Sequence, residues 1–107
     1  MNSKKKGTRG ELELANLLKE KGFSEARRSQ QYCGINNDAD VIGIDGIHIE
    51  CKRVEKLNID EAMEQAKRDC KANIPTVFHR KNNKEWLVTM RLDDWVELYK
   101  KGDKCGK

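Results

Sequence analysis

The chain has 107 residues, of which 36% are hydrophobic and 37% are charged, and its mean hydropathy is -0.90. This length suits one small domain, residues 1–107, because it is too short for two hydrophobic cores. No apolar run approaches the ~20 residues that cross a bilayer, so we expect no membrane association. The net charge of +4 comes from basic residues within the first ten positions, since acids and bases balance in the rest of the chain.

Both ends of the chain are polar. Residues 1–7 form a basic arm without an apolar segment, so we expect no signal peptide. The arm fits an approach to a polyanion such as nucleic acid, and it equally fits a flexible, solvated tail. Residues 101–107 are predicted to be a flexible tail as well.

The cysteines indicate the compartment. Cys33, Cys51, Cys70 and Cys105 have neither the short spacing of a zinc knuckle nor a C-x-x-C pair. Two of them fall within apolar patterns, where cysteine behaves as a small hydrophobic residue. We therefore expect reduced thiols in a cytoplasmic protein.

The first predicted element is a helix over Glu11–Lys21, because its leucines and an alanine recur at helical spacing. Thr8 and Glu11 have the spacing of a capping box at its start. The polar segment Arg27–Asn37 follows and is predicted to be a loop of about 10 residues, long enough to suggest a function.

A β-hairpin is predicted next. Asp40–Ile44 and Ile47–Arg53 have strand composition, and an Asp-Gly turn of two residues separates them. Such a turn would place Val41 opposite Glu50. In the second strand, strict alternation separates an apolar face from a polar face.

The remaining elements are a helix over Asn58–Asn73, strands over Thr76–His79 and Glu85–Met90, and a final helix from about Leu92 to Lys100. The resulting order, α-β-β-α-β-β-α, predicts an α/β fold in which helices flank a small mixed sheet.

The hairpin carries the most informative polar residues. Alternation places His48, Glu50 and Lys52 on one face, and Asp40 opens the neighbouring strand. If the two carboxylates meet, they and a backbone carbonyl form the oxygen set that Mg²⁺ or Mn²⁺ prefers. A lysine beside them would orient an attacking water and stabilise negative charge. The alternative is a solvent-facing strand with an ion pair between Glu50 and Lys52.

The pattern Asp40…Glu50-Cys51-Lys52 is similar to the signature of the PD-(D/E)XK nuclease superfamily, which implies a restriction-endonuclease-like core. Within the superfamily, the chain most resembles the Holliday-junction resolvases of archaea and of some phages. Lys6–Phe23 is similar to their first helix, and Ile49–Arg53 to their second catalytic strand. The resemblance covers roughly residues 4–90.

The resemblance implies a role for each residue of the motif. Asp40 and Glu50 would bind Mg²⁺, for which Mn²⁺ would substitute, and the carbonyl of Cys51 would be a third ligand. Glu11 would complete the acidic cluster, and Lys52 would position the nucleophilic water. The reaction would be hydrolysis of a DNA phosphodiester.

Three positions qualify the match. Ala39 replaces a proline that many members carry before the catalytic aspartate, and Leu12 stands where archaeal resolvases have an arginine. Asp38 is a second candidate for the metal ligand, but an apolar strand follows Asp40 directly, which favours Asp40. These departures concern the choice of substrate more than the chemistry.

The resemblance and the basic arm together predict the contacts to DNA. The predicted DNA-binding residues are Lys5, Lys6, Arg9, Arg27, Arg28, Ser29 and Gln65. The expected substrate is a four-way junction, and symmetric cleavage of a junction needs two active sites and therefore a homodimer. We expect its interface to include Val88, Met90, Trp95 and Leu98. The alternatives are a nuclease acting on another DNA substrate in repair or restriction, and a non-catalytic DNA-binding module of the same fold.

Overall fold

A computed structural model describes residues 3–29 and 39–105, with the backbone alone at residues 3–8 and 103–105. Within these residues the chain forms an α/β domain with three helices and a five-stranded mixed sheet. The elements in chain order are α1 (Ser3–Glu20), β1 (Arg27–Arg28), β2 (Val41–Ile42), β3 (Ile47–Arg53), α2 (Ile59–Asp69), β4 (Ile74–Arg80), β5 (Leu87–Met90) and α3 (Leu92–Cys105). None of the helices in the described part of the chain is both long and apolar enough to cross a membrane.

The sheet has the strand order β1-β2-β3-β4-β5. β3 and β4 run parallel and are connected through α2, whereas the other neighbouring strands are antiparallel. The predicted α/β class, with helices flanking a small mixed sheet, is confirmed. The predicted element order was wrong in one respect: it lacked β1, which pairs with β2 over two residues only, too few for any periodicity in the sequence.

The hairpin register differs from the prediction by one residue. Val41 pairs with Ile49 rather than with Glu50, so the connection is longer than a two-residue turn. Gly43 explains the difference, because its φ of +103° is a conformation that side chains disfavour. A Cβ at Gly43 would lie 2.0 Å from the carbonyl oxygen of Glu25, so the backbone approaches closely there.

The two faces of the sheet carry different helices. α1 packs on the face of Ile49, where the buried core comprises Leu14, Ala15, Leu18, Ala26, Val41 and Ile49. α2 packs on the opposite face, where Ala62 and Ala66 cover Val77. Glu50 is the register partner of Val77, so Glu50 and its face-sharing neighbours lie under α2. The predicted separation of the two faces of β3 is confirmed.

The observed helix boundaries confirm one predicted helix cap and contradict another. The side chain of Asn58 accepts a hydrogen bond from the amide of Glu61 at 3.1 Å, which confirms it as the N-cap of α2. The predicted capping box at Thr8 was wrong, because α1 begins at Ser3 and residues 3–7 belong to the helix instead of a separate arm. Lysine and arginine are good helix formers, which favours this extension. α3 likewise continues through residues 101–105.

Glu13 ties α1 to the sheet. Its carboxylate accepts hydrogen bonds from Arg53 on β3 at 3.3 Å, from Trp86 at 3.1 Å, and from Arg80 on β4. Burial alone would raise the pKa of Glu13, but the hydrogen bonds from Arg80, Trp86 and Arg53 outweigh it, so the pKa is lowered. These bonds fix the height of α1 above β3, and with it the position of the neighbouring Glu11.

Candidate active site

Asp40 is held by backbone hydrogen bonds just before β2. Its amide donates to the carbonyl of Ile49 at 2.8 Å, and its carboxylate accepts from the amide of Cys51 at 2.8 Å. Its own carbonyl accepts from the amide of Ser29 at 3.0 Å. The Asp40 side chain therefore bonds directly to the backbone of β3, one residue beyond Glu50.

Glu50 is almost completely enclosed, with 1% of its surface exposed. One carboxylate oxygen, Oε1, lies 2.9 Å from Nε2 of the buried His48. The other, Oε2, is buried without a hydrogen-bond partner, and it is the one such side-chain atom in the described part of the chain. A buried carboxylate oxygen without a partner is costly, so this atom calls for an explanation.

The charges of two other carboxylates act on Asp40. Burial is the main cause that raises the pKa of Asp40 to about 7, and the charge of Glu50 is the next. The amide hydrogen bond from Cys51 opposes the rise in pKa, the charge of Glu11 adds to it, and the charge of Lys52 opposes it. The charges of Glu50 and Glu11 thus act on Asp40, and a cation bound at Asp40 would offset this repulsion.

Lys52 is oriented by α2. Its Nζ donates to Oε1 of Gln65 at 3.2 Å, and both residues line a surface cavity of about 700 Å³ along α2. Gln65 was predicted to contact DNA, and the structure places it against the predicted catalytic lysine. In this position, Gln65 orients the ammonium group of Lys52.

The predicted DNA-binding residues in and directly after β1 have different environments. Arg27 is exposed, and its guanidinium donates to the carbonyl of Glu25 at 2.9 Å. Arg28 donates to Oε1 of Glu11 at 3.2 Å, so it neutralises one acid of the cluster. Ser29 is only 6% exposed, which is at odds with a direct contact to DNA. Ser29 instead supports Asp40 through its amide.

Several predicted positions are described only in part. Arg9 is an exposed residue of α1. Lys5 and Lys6 belong to the first turns of α1, but their side chains lie outside the described residues. Asp38, the alternative ligand, also lies outside them. Of the cysteines, Cys51 and Cys70 carry free thiols in the described part of the chain.

The donor set fits a hard divalent cation. Asp40 and Glu50 offer carboxylate oxygens, and magnesium and manganese prefer oxygen ligands. Burial, followed by the charge of Asp40, raises the pKa of the Cys51 thiol, so the sulfur is neutral. Because only a thiolate binds metal well, Cys51 can contribute through its carbonyl oxygen and not through sulfur.

Sequence reasoning missed one residue near the site. A ligand atom of Asp69, at the end of α2, lies within 4.8 Å of those of His48 and Glu50. This is the one such group of three or more potential metal ligands among the described residues, and it contains neither Glu11 nor Asp40. Its spacing in the sequence could have indicated it, because Asp69 follows Gln65 by four positions and therefore lies on the same face of the helix.

No family model matches this chain, and neither a curated protein nor a solved structure matches it significantly. Membership of the PD-(D/E)XK superfamily therefore stays a prediction.

Proposed function

We propose that this chain is a Mg²⁺-dependent DNA endonuclease of the PD-(D/E)XK type and that it cleaves four-way junctions. The observation that carries the proposal is the buried, unpartnered Oε2 of Glu50 beside an Asp40 carboxylate whose pKa is raised to about 7. A divalent cation would stabilise the ionised form of Asp40 and would give the unpartnered oxygen of Glu50 a partner.

The cation would be held by a small set of oxygen atoms. Asp40 and Glu50 would provide carboxylate ligands, the carbonyl of Cys51 a neutral one, and Glu11 would complete the acidic cluster. When bound, the cation supplies Lewis-acid charge that offsets negative charge developing on the phosphate. The hydrogen bond from Arg28 to Glu11 limits the negative charge of the cluster before DNA arrives.

Lys52 provides the second functional group. It shares a strand face with Glu50, and Gln65 fixes its side chain at a hydrogen-bond distance of 3.2 Å. An ammonium group in this position orients a water for attack and stabilises the charge of the transition state. Gln65 acts through Lys52 and is a positioning residue in this proposal.

Basic residues near the site would hold the DNA backbone. Arg9 on α1 and Arg27 on β1 are exposed and free to meet phosphates, which account for most of the affinity in protein–DNA complexes. Lys5 and Lys6 extend this basic region along the first turns of α1. The resemblance to resolvases supplies the four-way junction as the substrate, and a junction requires two such sites, hence a homodimer.

The proposal is tested with labelled four-way junction, flap, nicked and linear DNA in Mg²⁺. Asp40→Asn, Glu50→Gln and Lys52→Ala should each lower the cleavage rate by about 100-fold or more. Asp45→Asn and Lys56→Ala are matched controls, because both residues are exposed and lie close in sequence. Cleavage of linear DNA at a preferred sequence would show that the substrate is of the restriction type and is not a four-way junction. If the folded wild-type chain cleaves none of these substrates in Mg²⁺ or Mn²⁺, the proposal is wrong.

A further inference from the structure

The residues His48, Glu50 and Asp69 form a cluster on the α2 side of β3. His48 and Glu50 are 4% and 1% exposed, and their side chains meet at 2.9 Å. Asp69 approaches from the last turn of α2, so that one ligand atom of each residue lies within 4.8 Å of the other two. The proposed hydrolysis uses neither His48 nor Asp69.

From this cluster we propose a second cation site that takes a transition metal ion such as Zn²⁺, with His48, Glu50 and Asp69 as its protein ligands. The site does not depend on the proposed nuclease function, although both would use Glu50.

The donor atoms select the class of metal. Imidazole nitrogen combined with carboxylates suits Zn²⁺, whereas Mg²⁺ prefers oxygen ligands alone. Atoms at most 4.8 Å apart surround a centre about 2.8 Å from each, and metal–ligand bonds of about 2.1 Å then require movements of about 0.7 Å. Side-chain rotation at the half-buried Asp69 can provide such a movement.

A second observation points to a ligand at this position. Oε2 of Glu50 is buried without a hydrogen-bond partner, although Oε1 is satisfied by His48. A cation held by His48 and Asp69 would give the Glu50 carboxylate the missing partner.

The cluster has a route to solvent. His48 and Asp69 both line a cavity of about 370 Å³ between the β2–β3 hairpin and the end of α2. An ion can therefore enter without unfolding of the domain. Because Glu50 is shared, occupation of this site would draw its carboxylate away from Asp40, and Zn²⁺ would inhibit Mg²⁺-dependent cleavage if the proposed function is correct.

The test follows the imidazole signals by NMR while Zn²⁺ is added to the full chain. The chain has two histidines, so each resonance can be assigned with one variant. We expect the His48 signals to shift with a stoichiometry of one ion per chain and those of His79 to stay unchanged.

Calorimetry on variants then assigns the ligands. His48→Asn and Asp69→Asn should each weaken Zn²⁺ binding by at least about 10-fold, whereas Asp60→Asn, an exposed position of the same helix, should not. Lys52→Ala, which removes the proposed catalytic lysine but no ligand, should bind Zn²⁺ like the wild type, so this result separates the metal site from the nuclease activity. If His48→Asn fails to fold, Asp69→Asn and the wild-type NMR titration still decide. Unchanged His48 signals at saturating Zn²⁺, or unchanged affinity in Asp69→Asn, would overturn the site.

Discussion

Hydrogen bonds hold Asp40 in a position where its ionised form is unfavourable. The backbone holds it in place through Ile49, Cys51 and Ser29, while burial and the charge of Glu50 penalise its ionised form. A protein without a bound cation has to bear this cost in the folded state. The pH dependence of its stability should therefore report the conflict.

In EDTA, Asp40 should make the folded state less stable as the pH rises from about 4 to about 7. Its pKa is 3.8 ordinarily and about 7 in the folded chain, so the folded state binds this proton more tightly than the unfolded state does. That contribution to stability is present below about pH 4 and is lost as the pH passes 7. Denaturant unfolding at pH 5 and pH 8 measures it.

Asp40→Asn removes the titrating group, so its free energy of unfolding should change less between pH 5 and pH 8 than that of the wild type. Asp45→Asn, in the exposed turn of the same hairpin, should behave like the wild type. Identical pH profiles for wild type and Asp40→Asn would show that the Asp40 pKa is not raised.

The sequence predicts the polar residues of the site better than their partners. Alternation along β3 is enough to group His48, Glu50 and Lys52, because a strand has a fixed period of two. The approach of Asp69 depends on where α2 crosses the sheet, which no local pattern contains. The unpartnered oxygen of Glu50 likewise follows from packing of the two layers.

Close packing of α1 on β3 sets the position of Glu11. A Cβ on Gly10 would lie 2.6 Å from Cβ of Arg53, so only glycine permits this approach. The contact involves the stem of Arg53 and not the flexible end of its side chain. A larger residue must therefore move the helix.

Gly10→Ala should destabilise the domain by about 1–3 kcal/mol, because the helix has to shift to relieve the overlap. The shift would carry Glu11 away from Asp40, and we expect DNA cleavage to fall by about 10- to 100-fold. Gly102→Ala is the matched control within a helix, since nothing lies within 4 Å of its added Cβ. Equal stability and cleavage rates in the two variants would contradict the role given to this packing.

Some elements could be predicted from sequence and others could not. β3 has the predicted bounds, Ile47–Arg53, because its apolar and polar residues alternate throughout. β1 was missed because its two arginines have no strand pattern, and their pairing with β2 is a tertiary contact. The hairpin register was missed because the Asp-Gly signal favours a two-residue turn, whereas Gly43 supports a longer connection.

β5 and α3 expose several large apolar side chains. Leu92, Trp95 and Tyr99 on α3 are 73%, 51% and 64% exposed, and Val88 on the edge strand β5 is 53% exposed. Exposed apolar side chains that form a contiguous patch often mark interfaces between proteins. Of the residues predicted for the dimer interface, Leu98 is at 36% exposure and Met90 is half-buried.

We propose that two copies of the chain associate through this surface. The wild-type chain should have about twice its monomer mass of 12.4 kDa in sedimentation or light-scattering measurements. Trp95→Glu should yield monomers, because a charge in an apolar interface is costly. Leu12→Glu, at a position that is 50% exposed on α1, should remain dimeric. A wild-type monomer at high concentration would contradict this interface.

The proposed function requires the carboxylates of Asp40, Glu50 and Glu11 to support metal-dependent cleavage of DNA. The most direct measurement is cleavage of a four-way junction by the folded wild-type chain in Mg²⁺, mapped on each strand, beside Asp40→Asn. We expect paired nicks at symmetric positions, their absence in EDTA, and a loss of about 100-fold or more in the variant. Cleavage by Asp40→Asn at the wild-type rate, or no cleavage by wild type in Mg²⁺ or Mn²⁺, would contradict it.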